Sequence, residues 1–340
     1  MKCVRALTWA CVLAGLLAAG KNLPAFGATL EEQLDIRPYN ATQGQARDVA
    51  DQWLRVGQQQ ADAAQGEQAI AAWQKALEIY HALGDTVAAG LAYDRIGLAY
   101  IEMGQYDRAE SVLRRRLAIA RDNDNLLGVV HGLNNVGTLL LRTGQLREAK
   151  AAFEEGYRVA SAIPSASGMG LSLSNLGLVA ALENDLQTAA SYYEAATNYR
   201  FRSGDHPGEA NSSNSLGDVY RALNRTGEAL GAYGVALDIG EELNDRALQL
   251  RAIDGLLAIY LEQGSWRNVQ EYLNKRTALT LTGPADVQTL RTLVWLGEYY
   301  ERTGNVATAR ETYQRALTLS RSLGAKPQEV SLTNRLIELR

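Results

Sequence analysis

Three histidines (His81, His131, His206) and two cysteines (Cys3, Cys11) are the chain's whole stock of the side chains that do most acid–base, metal and thiol chemistry. The histidines share no spacing that would bring them to one metal. No H-E-x-x-H, G-x-S-x-G or G-x-x-x-x-G-K-S/T run is present. His206, in Gly204-Asp205-His206-Pro207, reads as part of a turn rather than as a ligand, because no partner ligands accompany it. The carboxylate pairs Glu154-Glu155 and Glu241-Glu242 read as solvated helix faces, and Arg114-Arg115-Arg116 is too short a basic run to imply nucleic-acid binding. Asn40, Asn211 and Asn224 match the glycosylation pattern, the last two within or beside helices. The sequence therefore predicts no enzyme, no cofactor, no metal and no nucleic-acid partner.

The elements that must position any binding residues come from an internal repeat. Gly137 recurs as Gly57, Gly97, Gly177, Gly217 and Gly297 at a constant spacing of 40 residues, with Leu257 as the exception. An apolar residue precedes each of these positions. Twelve residues after each stands a small one (Ala69, Ala109, Ala149, Ala189, Ala229, Val269, Ala309), and sixteen after, a large one (Trp73, Leu113, Phe153, Tyr193, Tyr233, Leu273, Tyr313). Each copy reads as two helices. Gly104, Gly144, Asn184, Asn224, Gly264 and Gly304 mark the turn inside a copy, since these residue types tolerate the left-handed conformation that ends a helix. Leu83-Gly84-Asp85-Thr86 and Ser203-Gly204-Asp205 supply a stop and an N-cap between copies. A glycine inside a helix costs about 1 kcal/mol relative to alanine. The repeated glycine is expected to offset this by letting the paired helices cross closely against the small column.

This pattern resembles the tetratricopeptide repeat family, on Leu176-Gly177, Leu216-Gly217, the tyrosines Tyr100, Tyr220, Tyr260 and Tyr300, and the alanine and large-residue columns. The usual repeat has about 34 residues; 40 implies longer helices, as in the kinesin-light-chain-like and peptide-receptor-like branches. The resemblance implies an all-α, right-handed superhelical solenoid of about seven helix-turn-helix repeats over residues 44–340, centred near 57, 97, 137, 177, 217, 257 and 297. A capping helix is expected at 328–340 and a leader segment at 28–43.

In that family the first helix of each repeat lines a concave face. Carrying its inward positions over gives His131, Asn134, Asn135, Thr138, Leu141 and Arg142 in the third repeat. The fourth repeat gives Leu171, Ser174, Asn175, Leu178, Ala181 and Leu182, and the fifth Asn211, Asn214, Ser215, Asp218, Arg221 and Ala222. The ends carry Asp51, Arg55, Asp94 and Arg95 on one side, and Arg251, Arg291, Glu298 and Arg302 on the other. An asparagine offers a donor and an acceptor, as a peptide backbone requires. The resemblance therefore implies that Asn135, Asn175 and Asn214 hold an extended segment by its main chain while the leucines select apolar side chains. The alternative reading is that asparagine merely keeps an exposed helix face soluble. The basic clamp that recognises acidic chaperone tails is not expected, because Leu54, Asp94 and Asn134 stand at the corresponding positions.

The start of the chain differs from the rest. A short basic stretch with Lys2 and Arg5, an apolar run from Ala6 to Gly20 and the small-residue site Ala25-Phe26-Gly27 read as a signal peptide over 1–27. About 15 apolar residues are short for a membrane span; the competing reading is an uncleaved anchor. Cleavage would remove Lys2, Arg5 and Lys21, taking the formal net charge from −4 to −7, and both cysteines, leaving no disulfide chemistry. The expectation is an exported protein of the periplasm or extracellular space, or of the thylakoid lumen in a photosynthetic bacterium. It would bind a protein or peptide partner as a scaffold or assembly factor. A receptor for a small peptide or metabolite is the alternative.

Overall fold

The computed structural model describes residues 44–339. The expected signal peptide and leader segment lie outside them. Within the described residues the chain is all helix: α1 (Gln45–Asp62), α2 (Gly66–Ala82), α3 (Thr86–Glu102), α4 (Tyr106–Asp122), α5 (Leu126–Arg142), α6 (Leu146–Ala162), α7 (Ala166–Leu182), α8 (Leu186–Ser203), α9 (His206–Ala222), α10 (Thr226–Glu242), α11 (Arg246–Gln263), α12 (Trp266–Thr280), α13 (Val287–Arg302), α14 (Val306–Ser322) and α15 (Lys326–Glu338). The repeat glycines fall in the odd-numbered helices α1 to α13, and the alanine and large-residue columns in the even-numbered ones.

Local chemistry sets the helix ends. Asp85, Asn125, Ser165 and Asp185 each accept a hydrogen bond from the backbone N–H three residues on, and Asp245 caps α11 in the same way. The turn residues Asn184 and Asn224 have φ of 61° and 58°, the left-handed conformation read from their type. The connection before α13 is longer, and a capping box between Asp286 and Thr289 closes it.

The chain divides into two units, one ending at Val219 and the other beginning at Tyr220, within α9. In the first unit α1 to α8 pack in chain order, and α3, α5 and α7 also touch one another. The first helices of successive repeats thus form one layer and the second helices another. In the second unit α10 to α15 pack in chain order. This nearest-neighbour packing is that of a helical repeat solenoid.

The repeated glycine has a specific steric reason. A Cβ added at Gly97 or Gly137 would fall inside the side chain of Leu113 or Phe153, and at Gly177 it would stand 3.0 Å from the Tyr193 ring. The space is therefore filled by the large residue sixteen positions on, while the alanine column (Ala109, Ala149, Ala189) is fully buried beside it. In the sixth repeat Leu257 is itself buried, and Gly255, two residues earlier, makes room for Tyr233 of the preceding helix.

Candidate functional site

The inward columns divide into a sealed part and an open part. His131, Asn134, Asn135, Leu171, Ser174, Asn175, Asn211 and Asn214 are all buried; Asn134, Asn135 and Asn214 are 0% exposed. Thr138, Leu141, Leu178, Ala181, Leu182, Asp218, Arg221 and Ala222 are half-buried, and Arg142 is exposed. Asn211, Asn214 and Asp218 belong to the first unit, Arg221 to the second.

The buried amides form a ladder between repeats. The Nδ2 of Asn135 donates to Oδ1 of Asp94 at 2.8 Å, and forty residues on, the Nδ2 of Asn175 donates to Oδ1 of Asn134 at 2.9 Å. Asn134 also donates to the Val130 carbonyl at 2.8 Å and to Ser172 Oγ at 2.9 Å, and the Ser174 and Ser212 hydroxyls lie 2.8 Å apart. The same rung appears in the second unit, where Trp295 Nε1 donates to Oδ1 of Asp254 at 2.8 Å. This corrects the expectation that Asn135 and Asn175 present their amides to a bound main chain. Helix packing closes over them, and their Nδ2 groups are satisfied by the neighbouring repeat. The Oδ1 of Asn135, the Nδ1 of His131 and both amide atoms of Asn214 are buried without a partner.

Two buried arginines, each paired with an aspartate, anchor these rungs, and the concave columns alone do not show them. Arg116 on α4 donates through Nε to both oxygens of Asp94 at 2.9 Å. Arg276 on α12 donates Nε and Nη2 to Asp254 at 2.7 and 3.1 Å, and Nη1 to Thr292 Oγ1 at 2.6 Å. The two arginines occupy the same repeat position, where other copies carry Ala76, Gly156, Ala196, Ala236 and Ala316. A long cation in a column of small residues is a signal present in the sequence. A third buried arginine, Arg200, donates to Asp205 Oδ2 at 2.6 Å.

His131 sits among these charges. Burial pushes its pKa down to about 4; Asp94 opposes this, while Arg116 and Arg200 add to it. A neutral imidazole without a partner at Nδ1 lies too deep to serve as a surface base. The exposed His206 instead approaches Oε2 of the buried Glu209 at 3.5 Å.

Along α5 and α7 of the first unit, Thr138, Leu141, Leu178, Ala181 and Leu182 stay partly open. Leu141 leans on the cluster of Leu176, Val179 and Phe153. Leu178 and Leu182 stand on the adjacent inner helix, and Arg142 is exposed beside Leu141. Arg142 also draws down the Glu102 carboxyl, whose pKa burial pushes up. Among the described residues no cluster of three or more metal-ligating side chains occurs, and no helix is long and apolar enough to cross a membrane.

No curated protein sequence matches this chain. Its backbone is similar to that of a signal transduction ATPase with numerous domains and a tetratricopeptide repeat sensor, from Pyrococcus horikoshii (14% identity, TM-score 0.62, 85% of this chain and 44% of that one). This chain thus spans less than half of that protein. It is likewise similar to the Rap conjugation gene regulator of plasmid pLS20 in complex with a Phr peptide (19% identity, TM-score 0.56, 85% and 80%). A Rap protein complexed with competence and sporulation factor gives 14% identity and a TM-score of 0.55 over 84% and 73%. At these identities the likeness is one of fold. Models described as tetratricopeptide repeat match residues 49–122, 169–242 and 290–323, together more than half of the chain. The chain belongs to the tetratricopeptide repeat family.

Proposed function

We propose that this protein is a non-enzymatic interaction module that binds an extended segment of a partner protein on the inner surface of its first unit. The observation that carries this reading is that Leu141, Leu178 and Leu182 stay partly open with Arg142 exposed beside them, on adjacent first helices whose inward residues one or two turns earlier (His131, Asn134, Asn135, Leu171, Ser174, Asn175) are sealed. Half-buried leucines on a rigid layer offer apolar contact at little ordering cost, and an exposed guanidinium adds orientation. The amide ladder acts behind this surface, fixing one repeat against the next. Support comes also from the two Rap structures, each described as a complex with a peptide or factor. The leader with Lys2, Arg5 and the apolar run to Gly20 supports an exported setting and a role in scaffolding or assembly of an envelope complex.

The test is a pull-down from native envelope extract with the mature chain, beside the same bait carrying Leu178→Asp and Arg142→Glu. A partner held only by the unaltered surface supports the reading; a partner held equally by both moves the site elsewhere. The Rap likeness favours one second reading, a receptor for a free peptide. Compaction on peptide addition in small-angle scattering, with no protein partner captured, would select it.

A further inference from the structure

The last described helix, α15, keeps the register of a first helix. Val330, Asn334 and Ile337 stand forty residues after Leu290, Val294 and Gly297. In the earlier repeats these columns are closed by the second helix. A Cβ at Gly137 would fall inside Phe153, and one at Gly297 inside Tyr313. At Gly170, in the Val330 column, it would stand 2.6 Å from Arg200 Cγ on α8. Every earlier residue of the Val330 and Ile337 columns is accordingly buried, Leu250, Leu257 and Leu290 among them. On α15 the same columns are open: Val330 is 61% exposed and Ile337 54%. No helix follows α15 among the described residues. The outer face of a terminal helix in a repeat array is ordinarily polar. This one carries two branched apolar side chains, and the exposed Pro327 continues the face a turn earlier.

The cover that fits such a face is an antiparallel helix. Gly170 meets Arg200 while Gly177 meets Tyr193, so numbers rise along one helix of the pair as they fall along the other. In that direction α15 is its own complement. Turning the helix end for end about the level of Leu332 brings Lys326 opposite Glu338, Pro327 opposite Ile337 and Val330 opposite Asn334. Lys326 and Glu338 are both exposed. Lys326 reaches Glu329 of its own helix at 3.2 Å, an exposed pair that is exchanged at little cost. Pro327 is small where Phe153 and Tyr313 are large, which suits a facing residue that, unlike glycine, has a branched side chain. The helix itself is anchored from behind: Leu332 is buried in the cluster of Tyr313 and Leu317, and Arg335 Nε donates to Glu301 Oε2 at 2.9 Å.

We propose that α15 is a self-association surface. The α15 of a second copy lies antiparallel on it across a two-fold axis, each helix standing where a second helix would follow the other. A two-fold contact requires a surface that matches itself, and the charge order and the Pro327–Ile337 exchange supply that match. The face is one 13-residue helix long, about 20 Å. That lies at the small end of interface sizes, so the dimer is weak and concentration-dependent, with a dissociation constant in the micromolar range.

The test is sedimentation velocity of the mature chain, residues 28–340, from about 1 µM to about 1 mM. The expected result is a monomer that passes to a dimer and stops there, because a two-fold contact closes. Val330→Asp and Ile337→Asp alter exposed side chains, so each should stay monomeric throughout, with unchanged circular dichroism and melting temperature at the lowest concentration. Lys326→Glu and Glu338→Lys should each weaken the dimer about tenfold, since two exposed ion pairs become like-charge contacts. Mixing those two variants, or joining both changes in one chain, should restore it. A monomer at every concentration, open-ended larger species, a dimer untouched by Ile337→Asp, or charge variants that fail to recover would each overturn the proposal. Leu178→Asp lies in the other unit and should leave the dimer unchanged, which separates failure here from failure at the first unit's surface.

Discussion

Replacing Asn134 by alanine distinguishes a structural ladder from an exposed binding face. Asn134 is 0% exposed and makes three bonds: to the Val130 carbonyl, to Ser172 Oγ, and from Asn175 Nδ2. The alanine variant loses all three and leaves the Asn175 amide and the Ser172 hydroxyl buried and unmatched. With a net value of about 1 kcal/mol per bond and a further penalty of about 1–3 kcal/mol for stranded polar groups, the loss should be about 4–6 kcal/mol. A residue serving only a surface would change stability by less than about 0.5 kcal/mol. The assay is urea unfolding followed by far-ultraviolet circular dichroism, with hydrogen exchange of α5 and α7 read alongside, because a repeat array loses stability first at the weakened interface. A double-mutant cycle with Asn175→Ala should return a coupling of about 1 kcal/mol or more, since the two amides bond directly. A loss below about 0.5 kcal/mol for Asn134→Ala, with no coupling, would refute the ladder and return the asparagines to the binding surface.

Acid should destabilise the first unit through His131. Its pKa lies below the unfolded value of 6.5, so between pH 6.5 and about 4 the unfolded chain binds more protons and stability falls as pH falls. The full difference is about 3 kcal/mol, and His131→Gln should remove that part of the pH slope; an unchanged slope would show that the ring is not held neutral. Arg116→Ala should cost about 3–5 kcal/mol by leaving Asp94 buried without its cation, measured by denaturant midpoint, whereas Arg142→Ala should cost almost nothing. Gly137→Ala should lower the melting temperature despite alanine's better helix propensity, because the methyl group meets Phe153. Gly231→Ala, where nothing stands within 4 Å, should raise stability by up to about 1 kcal/mol. Ala189→Leu, at a fully buried crossing, should cost about 1–3 kcal/mol in the same assay.

The forty-residue glycine column, the alanine and large-residue columns and the asparagine turns settle the helical repeat from sequence alone. Each reflects a constraint within one hairpin: a missing Cβ where a ring must pass, a left-handed residue where the chain must reverse. Seven-fold repetition makes such local constraints visible above the noise of any one copy. The chemistry of the inward face was legible only as residue types. Asn135, Asn175 and Trp295 occupy one column, yet whether an amide there meets a ligand or the neighbouring repeat depends on how closely successive helices approach. That distance is set by side chains forty residues away, among them Asp94, Asn134 and Asp254. Arg116 and Arg276 show the same limit from the other side. The sequence displays them as anomalies in a column of small residues, but only the packed structure gives each its aspartate. Burial depends on contacts between repeats, and no single repeat's pattern contains it.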